Sequence, residues 1–162
     1  MLSLHFIRKL SNSKTSSMLE KETLFREKAK KYLVCFNESC PLHAQCLRWE
    51  VGQYYDHDIK VVTCVSPVYN QVAEGKCALF CDNTPIRMPI GMKNFYYNMP
   101  AHTATAIKKD LIESSCRATY YNFHSGRRPI TPEVQELIER TCRKHGWNEP
   151  LQYDGETEDY LW

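Results

Sequence analysis

Long apolar runs are missing from this chain: no stretch approaches the roughly 18 consecutive apolar residues that a membrane-spanning helix needs. With six glycines and eight prolines among 162 residues, the composition also excludes collagen-like and low-complexity classes. No Cys-x-x-Cys pair occurs, so the commonest zinc-finger spacing is absent. A glycine-rich phosphate loop, a Gly-x-Ser-x-Gly elbow and a His-Glu-x-x-His helix are all lacking, which removes the usual signatures of nucleotide, serine-hydrolase and metalloprotease chemistry. The opening residues MLSLHFIRKL are interrupted by His5, Arg8 and Lys9, and no small-residue cleavage site follows. That pattern excludes an ordinary secretory signal.

What is present is a globular composition, 43% hydrophobic, 25% charged and 12% aromatic, enough for a core in one domain or two small ones. Residues 1–17 are rich in Ser and Lys and hold no acid, which marks them as a disordered or non-native leader; a transit peptide and a false start upstream of Met18 both fit. We expect a cytoplasmic protein that does not engage a membrane. Its eight cysteines then point to metal binding or burial rather than to disulfides. The net charge of +2 conceals a division along the chain: +5 over residues 1–31, −1 over 32–107, +3 over 108–144 and −5 over 145–162.

The expected fold class is α+β, with a Cys-rich N-terminal half carrying a small β element and a helical, helix-turn-helix-like C-terminal half. The divisions are 18–99, the Cys-rich part; 100–150, the helical part; and 151–162, an acidic aromatic tail. A charged, weakly amphipathic helix follows Met18. Pro41 can open a helix running through Trp49, since proline is tolerated at the first helical position. The β-branched run Ile59–Val65 is the clearest strand, and loops with short strands are expected from Pro67 to Pro100. Beyond Pro100, Ala101, Ala104, Ile107, Leu111 and Ile112 share a helical face. A second helix covers about 117–123 and stops at Ser125-Gly126. The third opens at Thr131-Pro132-Glu133, a capping hydroxyl, an N1 proline and an early acid, and presents Val134, Leu137, Ile138, Thr141 and Cys142.

The stretch from Arg117 to Pro150 resembles the DNA-binding headpiece of lactose-repressor-type regulators. The likeness is carried by Ala118-Thr119 early in a recognition helix, by Ser125-Gly126, by Thr131 to Glu133, and by Gly146, Trp147, Asn148 and Pro150. Packing of Tyr120 and Phe123 against Val134, Leu137 and Ile138 leaves the polar side of the helix outward. The resemblance implies that Arg117, Ala118 and Asn122 face bases while Thr119, Tyr121, Ser125, Arg127 and Arg128 hold phosphates. Lys108, Lys109, Arg140, Arg143 and Lys144 would extend the positive rim.

Six cysteines fall between residues 35 and 81: Cys35, Cys40, Cys46, Cys64, Cys77 and Cys81. Their spacings suit a zinc ion, an iron-sulfur cluster or plain burial as small hydrophobes, with His43 and His57 as spare ligands. Over about residues 30–162 the chain also resembles a family of uncharacterised proteins from Bacteroides-type gut anaerobes, defined only as a domain of unknown function. The motifs are C-F-N-x-x-C-P-x-x-x-x-C-L-R (Cys35 to Arg48), C-x-x-F (Cys77 to Phe80), Ile90 to Met92, a Tyr-Tyr pair before R-P-I-T-P-E-x-Q (Arg128 to Gln135), and the terminus Asp159 to Trp162. That resemblance implies that Cys35, Cys40, Cys46 and Cys77 act together as metal ligands, leaving Cys64, Cys81, Cys116 and Cys142 as packing residues.

The densest titratable motif, Tyr54 to Asp58, places His57 between two acids, but alternation along an extended chain puts Asp56 and Asp58 on the face opposite His57. It reads as a polar turn, and no catalytic residue is assigned. Trp162 is expected to dock on the body; an alternative lays the acidic tail over the basic face. The sequence thus favours a non-catalytic DNA-binding, regulatory protein acting on double-stranded DNA, with a possible structural zinc. A protein-interaction or structural module without nucleic-acid binding is the alternative, and an uncharacterised enzyme the third.

Overall fold

The computed structural model describes residues 19–56, 59–66, 72–73 and 76–162, the side chains of 72–73 excepted. The protein is α+β and divides into two compact units, one reaching to Thr84 and including Trp162, the other Pro85–Leu161. Among the described residues no helix is long and apolar enough to cross a membrane.

In the first unit, helix α1 covers 19–29. Its two inward residues are Phe25 and Ala29, four apart and therefore on one face. The charged remainder is used in ion pairs, Arg26 to Glu22 at 2.9 Å along the helix and Lys21 to the distant Glu50 at 2.6 Å. Trp162 docks as expected, edge-on to Phe25 at 5.7 Å and to Tyr32 at 5.5 Å, with Lys28 Nζ 4.2 Å above its ring.

The helix expected from Pro41 through Trp49 is broken. A 3-10 turn, His43–Gln45, and a short helix α2, Leu47–Gly52, flank an extended Cys46. The cause is tertiary: Cys46 bridges to Asp82, Leu47 N–H donates to Cys81 O at 2.7 Å, and Asn83 N–H donates to Gln45 O. Gly52 closes α2 where a Cβ would lie 2.9 Å from the Cys35 carbonyl oxygen, so the small residue permits the approach. The strand expected at Ile59–Val65 is also absent as a regular strand. Only Cys64 pairs, in a parallel bridge with Val34, and Val61 is 84% exposed; β-branched residues have no ladder to join where the partner offers a single residue. The strands β1, Val72–Ala73, and β2, Lys76–Cys77, form an antiparallel hairpin.

The second unit contains the three expected helices: α3, Ala101–Ser115; α4, Arg117–His124; and α5, Pro132–Lys144. Ile107 and Leu111 of α3, Tyr120 and Phe123 of α4, and Ile138 and Cys142 of α5 meet Met92, Phe95, Met99 and Ile130 in one buried cluster, with Val134 and Leu137 packed on it. Thr131 differs in detail from its expected role. No side-chain cap bond forms; its hydroxyl instead bonds the Glu133 carboxylate, whose pKa is lowered first by its own backbone N–H and then by Thr131.

Strand β3, Ile86–Ile90, pairs antiparallel with β4, Gly155–Asp159, from Ile86 opposite Asp159 to Ile90 opposite Gly155. This pairing joins 86–90 to 155–159 within the second unit, which spans Pro85–Leu161. Asp154 locks the arrangement by accepting bonds from Lys93 N–H at 3.0 Å and Asn94 N–H at 2.9 Å. Gly91, at φ +74°, leaves room for that carboxylate where any Cβ would collide with it.

Candidate functional site

Two regions gather the side chains that the sequence singles out, one in each unit. In the second unit, α4 buries Tyr120 and Phe123 and turns Arg117, Ala118 and Tyr121 to the exterior, while Thr119 and Asn122 are half-buried. Ser125, Arg127 and Arg128, in the loop that follows, are exposed. The Asn122 carbonyl ends the helix by accepting Arg127 N–H at 2.9 Å and Arg128 N–H at 3.2 Å, which fixes the two arginines at the C-terminal end of α4.

The cations of this unit fall into two sets. Lys109 pairs with Glu113 at 3.9 Å, Arg143 with Glu139 at 3.5 Å, and Lys144 with Asp110 at 2.7 Å. Those three members of the expected rim are therefore each paired within the chain. Lys108, Arg117, Arg127 and Arg128 form no salt bridge among the described residues, and neither do Arg87, Lys93 and the remaining rim member, Arg140. Lys108 Nζ and the Arg117 guanidinium stand 5.7 Å and 5.8 Å from the ring centre of Tyr121, and Arg128 lies 5.7 Å from that of Phe123.

Between α3 and α4 stands a single residue, Cys116, with φ 66° and ψ 155°, a conformation that side-chain-bearing residues rarely adopt. Its thiol is exposed and 3.3 Å from Thr119 Oγ1. Donation from that hydroxyl, then from the Thr119 and Ala118 amides, holds the thiol below its ordinary range. Cys142, buried in the core, is pushed up to about 11 by desolvation. Cys142 is thus a packing residue, whereas Cys116 is not.

In the first unit a cavity of about 400 Å³ is lined by Cys35, Cys40, Cys46, Cys64 and Cys77, together with His43. All four thiols of the expected quartet are brought together there. Cys64, expected only to pack, joins them because its bridge to Val34 carries it beside Cys35. No disulfide links any of the eight cysteines. Among the described residues no three Cys, His, Asp or Glu side chains converge closely enough to hold a single ion.

Arg48 positions the walls of this cavity. Its Nε donates to Leu79 O at 2.8 Å and its Nη1 to Leu33 O at 3.0 Å, so one guanidinium fastens the segment bearing Cys77 to the segment bearing Cys35. His43 is held by its own turn, Nδ1 lying 2.7 Å from Cys40 O, with its ring edge-on to Trp49 at 4.8 Å. Sequence reasoning missed Arg48 as a positioning residue, although its place at the end of the C-P-x-x-x-x-C-L-R motif was a signal. Of the Tyr54 to Asp58 motif, His57 and Asp58 lie outside the described residues, and Asp56 pairs with Arg26. The leader, 1–17, also lies outside them.

Residues 18–162 match a family of unknown function (DUF6078). The chain belongs to this family. Neither a curated protein nor a solved structure matches it. The match spans both units, so the thiol cavity and the α4 face both fall within it. The resemblance to lactose-repressor headpieces is not supported. A helix-turn-helix joins its first two helices by three or four residues, whereas Cys116 alone separates α3 from α4.

Proposed function

We propose that this family member is a non-catalytic DNA-binding protein whose second unit engages duplex DNA through the outward face of α4. One observation carries the reading: four of the cations that form no salt bridge among the described residues, Lys108 on α3 and Arg117, Arg127 and Arg128 at the two ends of α4, lie on or beside α4, and two of them flank the exposed Tyr121. Lysines and arginines not neutralised within the chain are the ones that release counterions from phosphates. Ala118 lets the helix approach closely, and Asn122 supplies an amide of the kind that pairs with adenine. A helix of eight residues is about 12 Å long, close to the width of the major groove.

Fluorescence anisotropy of a labelled duplex, titrated with the protein at 50 and 200 mM salt, tests the proposal. Four phosphate contacts give a slope of about −3.6 in log affinity against log salt, hence roughly a hundredfold loss over that range. The double substitution Arg117→Ala, Asn122→Ala should weaken binding at least tenfold, each contact contributing about 1–3 kcal/mol. Salt-independent binding, equal affinity of the variant, or preference for single-stranded RNA over the duplex overturns it.

A further inference from the structure

We propose that the cavity of the first unit is the seat of a [4Fe–4S] cluster ligated by Cys35, Cys40, Cys46 and Cys77. The inference does not depend on the DNA-binding reading, which concerns the other unit.

Three observations lead to a cluster rather than a single ion. Five thiols share one cavity and none is tied up in a disulfide. A single zinc draws its thiolates to about 2.3 Å from one point, yet no three potential ligands among the described residues converge in that way. The thiols instead stand around a space of about 400 Å³. A cubane fills its own volume and offers a separate iron to each thiolate, so its ligands belong on the walls of such a space. Three thiols from one short run and a fourth from a distant segment is also the pattern in which clusters of this class are held.

Arg48 selects the fourth ligand. By binding Leu33 O and Leu79 O with one guanidinium, it ties together the segments that carry Cys35 and Cys77, and it places a positive charge at the wall of a site whose occupant is an anion. Cys64 is then the spare fifth thiol. Leu42, Trp49 and Leu79 supply apolar wall, which shields a cluster from water and tunes its potential.

Loading is a ligand exchange without redox change. Each of the four cysteine thiols forms one sulfur–iron bond and displaces one small alkylthiolate from a preformed [4Fe–4S] complex; the proton of the cysteine leaves on the displaced thiol. The experiment is anaerobic addition of that preformed complex to the full chain, followed by desalting, iron and sulfide analysis, and visible absorption. The expected result is about four irons and four sulfides per chain, a persistent thiolate-to-iron charge-transfer band, and quenching of tryptophan emission because Trp49 lines the cavity. Cys40→Ser and Cys77→Ser should each lose most of the bound iron, while Cys64→Ser, altered in the same cavity, retains it. Far-UV circular dichroism of all three separates loss of a ligand from loss of the fold. The proposal is overturned if no iron and sulfide remain after desalting, if one zinc per chain binds in preference to the cluster, or if folded Cys40→Ser and Cys77→Ser load like the unaltered protein.

Discussion

The second unit closes ten side chains into a single cluster between three helices, whereas the first gathers its thiols around a cavity and relies on short helices, two isolated bridges and a two-residue hairpin. The difference separates two ways of holding a chain. In the second unit, apolar area removed from water stabilises the fold at about 25 cal/mol per Å². In the first, where Phe25, Val34, Leu47 and Val51 are fully buried, backbone bonds at Val34, Cys46 and Leu47 and the guanidinium of Arg48 also fix the loops around the cavity. The thiol-lined cavity of the first unit, about 400 Å³, is larger than the cavity of about 310 Å³ between Asp110 and Arg140 in the second.

The largest expected effect breaks the better-packed side. Ile138 is 2% exposed and sits in the cluster contributed by all three helices. Ile138→Ala should cost about 3 kcal/mol, the sum of lost transfer energy and the cavity left behind. Chemical denaturation followed at Trp147, which packs on the cluster, reads this with Trp49 and Trp162 replaced by Phe. A loss below about 1 kcal/mol would show that the cluster is not what holds the unit.

A smaller effect probes the loosely built side. In Gly52→Ala the new methyl meets the Cys35 carbonyl oxygen at 2.9 Å and the Phe36 ring at 3.3 Å. Alanine is intrinsically the better helix residue by up to about 1 kcal/mol, so propensity alone predicts stabilisation. Because the nearest atom is backbone, the clash should win, giving a net loss of about 1–2 kcal/mol. Denaturation followed at Trp49 decides the sign, and a gain in stability would mean that the segment bearing Cys35 yields freely.

The same contrast explains what could be read in the sequence. Helices α3, α4 and α5 were legible because apolar spacing and the Thr131-Pro132 start are local signals. Tyr120 and Phe123 were correctly turned inward for the same reason. Strand β4 carries the sequence GETED, which has no apolar alternation; it exists because β3 and the Asp154 caps recruit it. In the first unit the break at Cys46 depends on residues 81–83, more than 30 positions away, and the strand at 59–65 shrank to one bridge because nothing longer lies beside it. Cys35, Cys40, Cys46 and Cys77 line one cavity together with Cys64, which enters it by a pairing that no spacing encodes.

The smallest effect tests whether electrostatics add to the packed unit at all. Asp110 on α3 accepts bonds from Lys144 at 2.7 Å and His145 at 2.9 Å at the end of α5, and these, Lys144 first, hold its carboxyl below the usual carboxylate range. A carboxyl whose pKa is lower folded than unfolded contributes stability that is fully present above the unfolded value of about 4 and is lost as pH falls through the folded value. Asp110→Asn should therefore lower Tm slightly at pH 7, the pair being open to solvent and to screening by salt, and the gap between the two proteins should close as the pH is taken below 4. A gap that persists in acid would mean that the amide disturbs the contact between α3 and α5 by its shape, and that the unit owes nothing measurable to this charge.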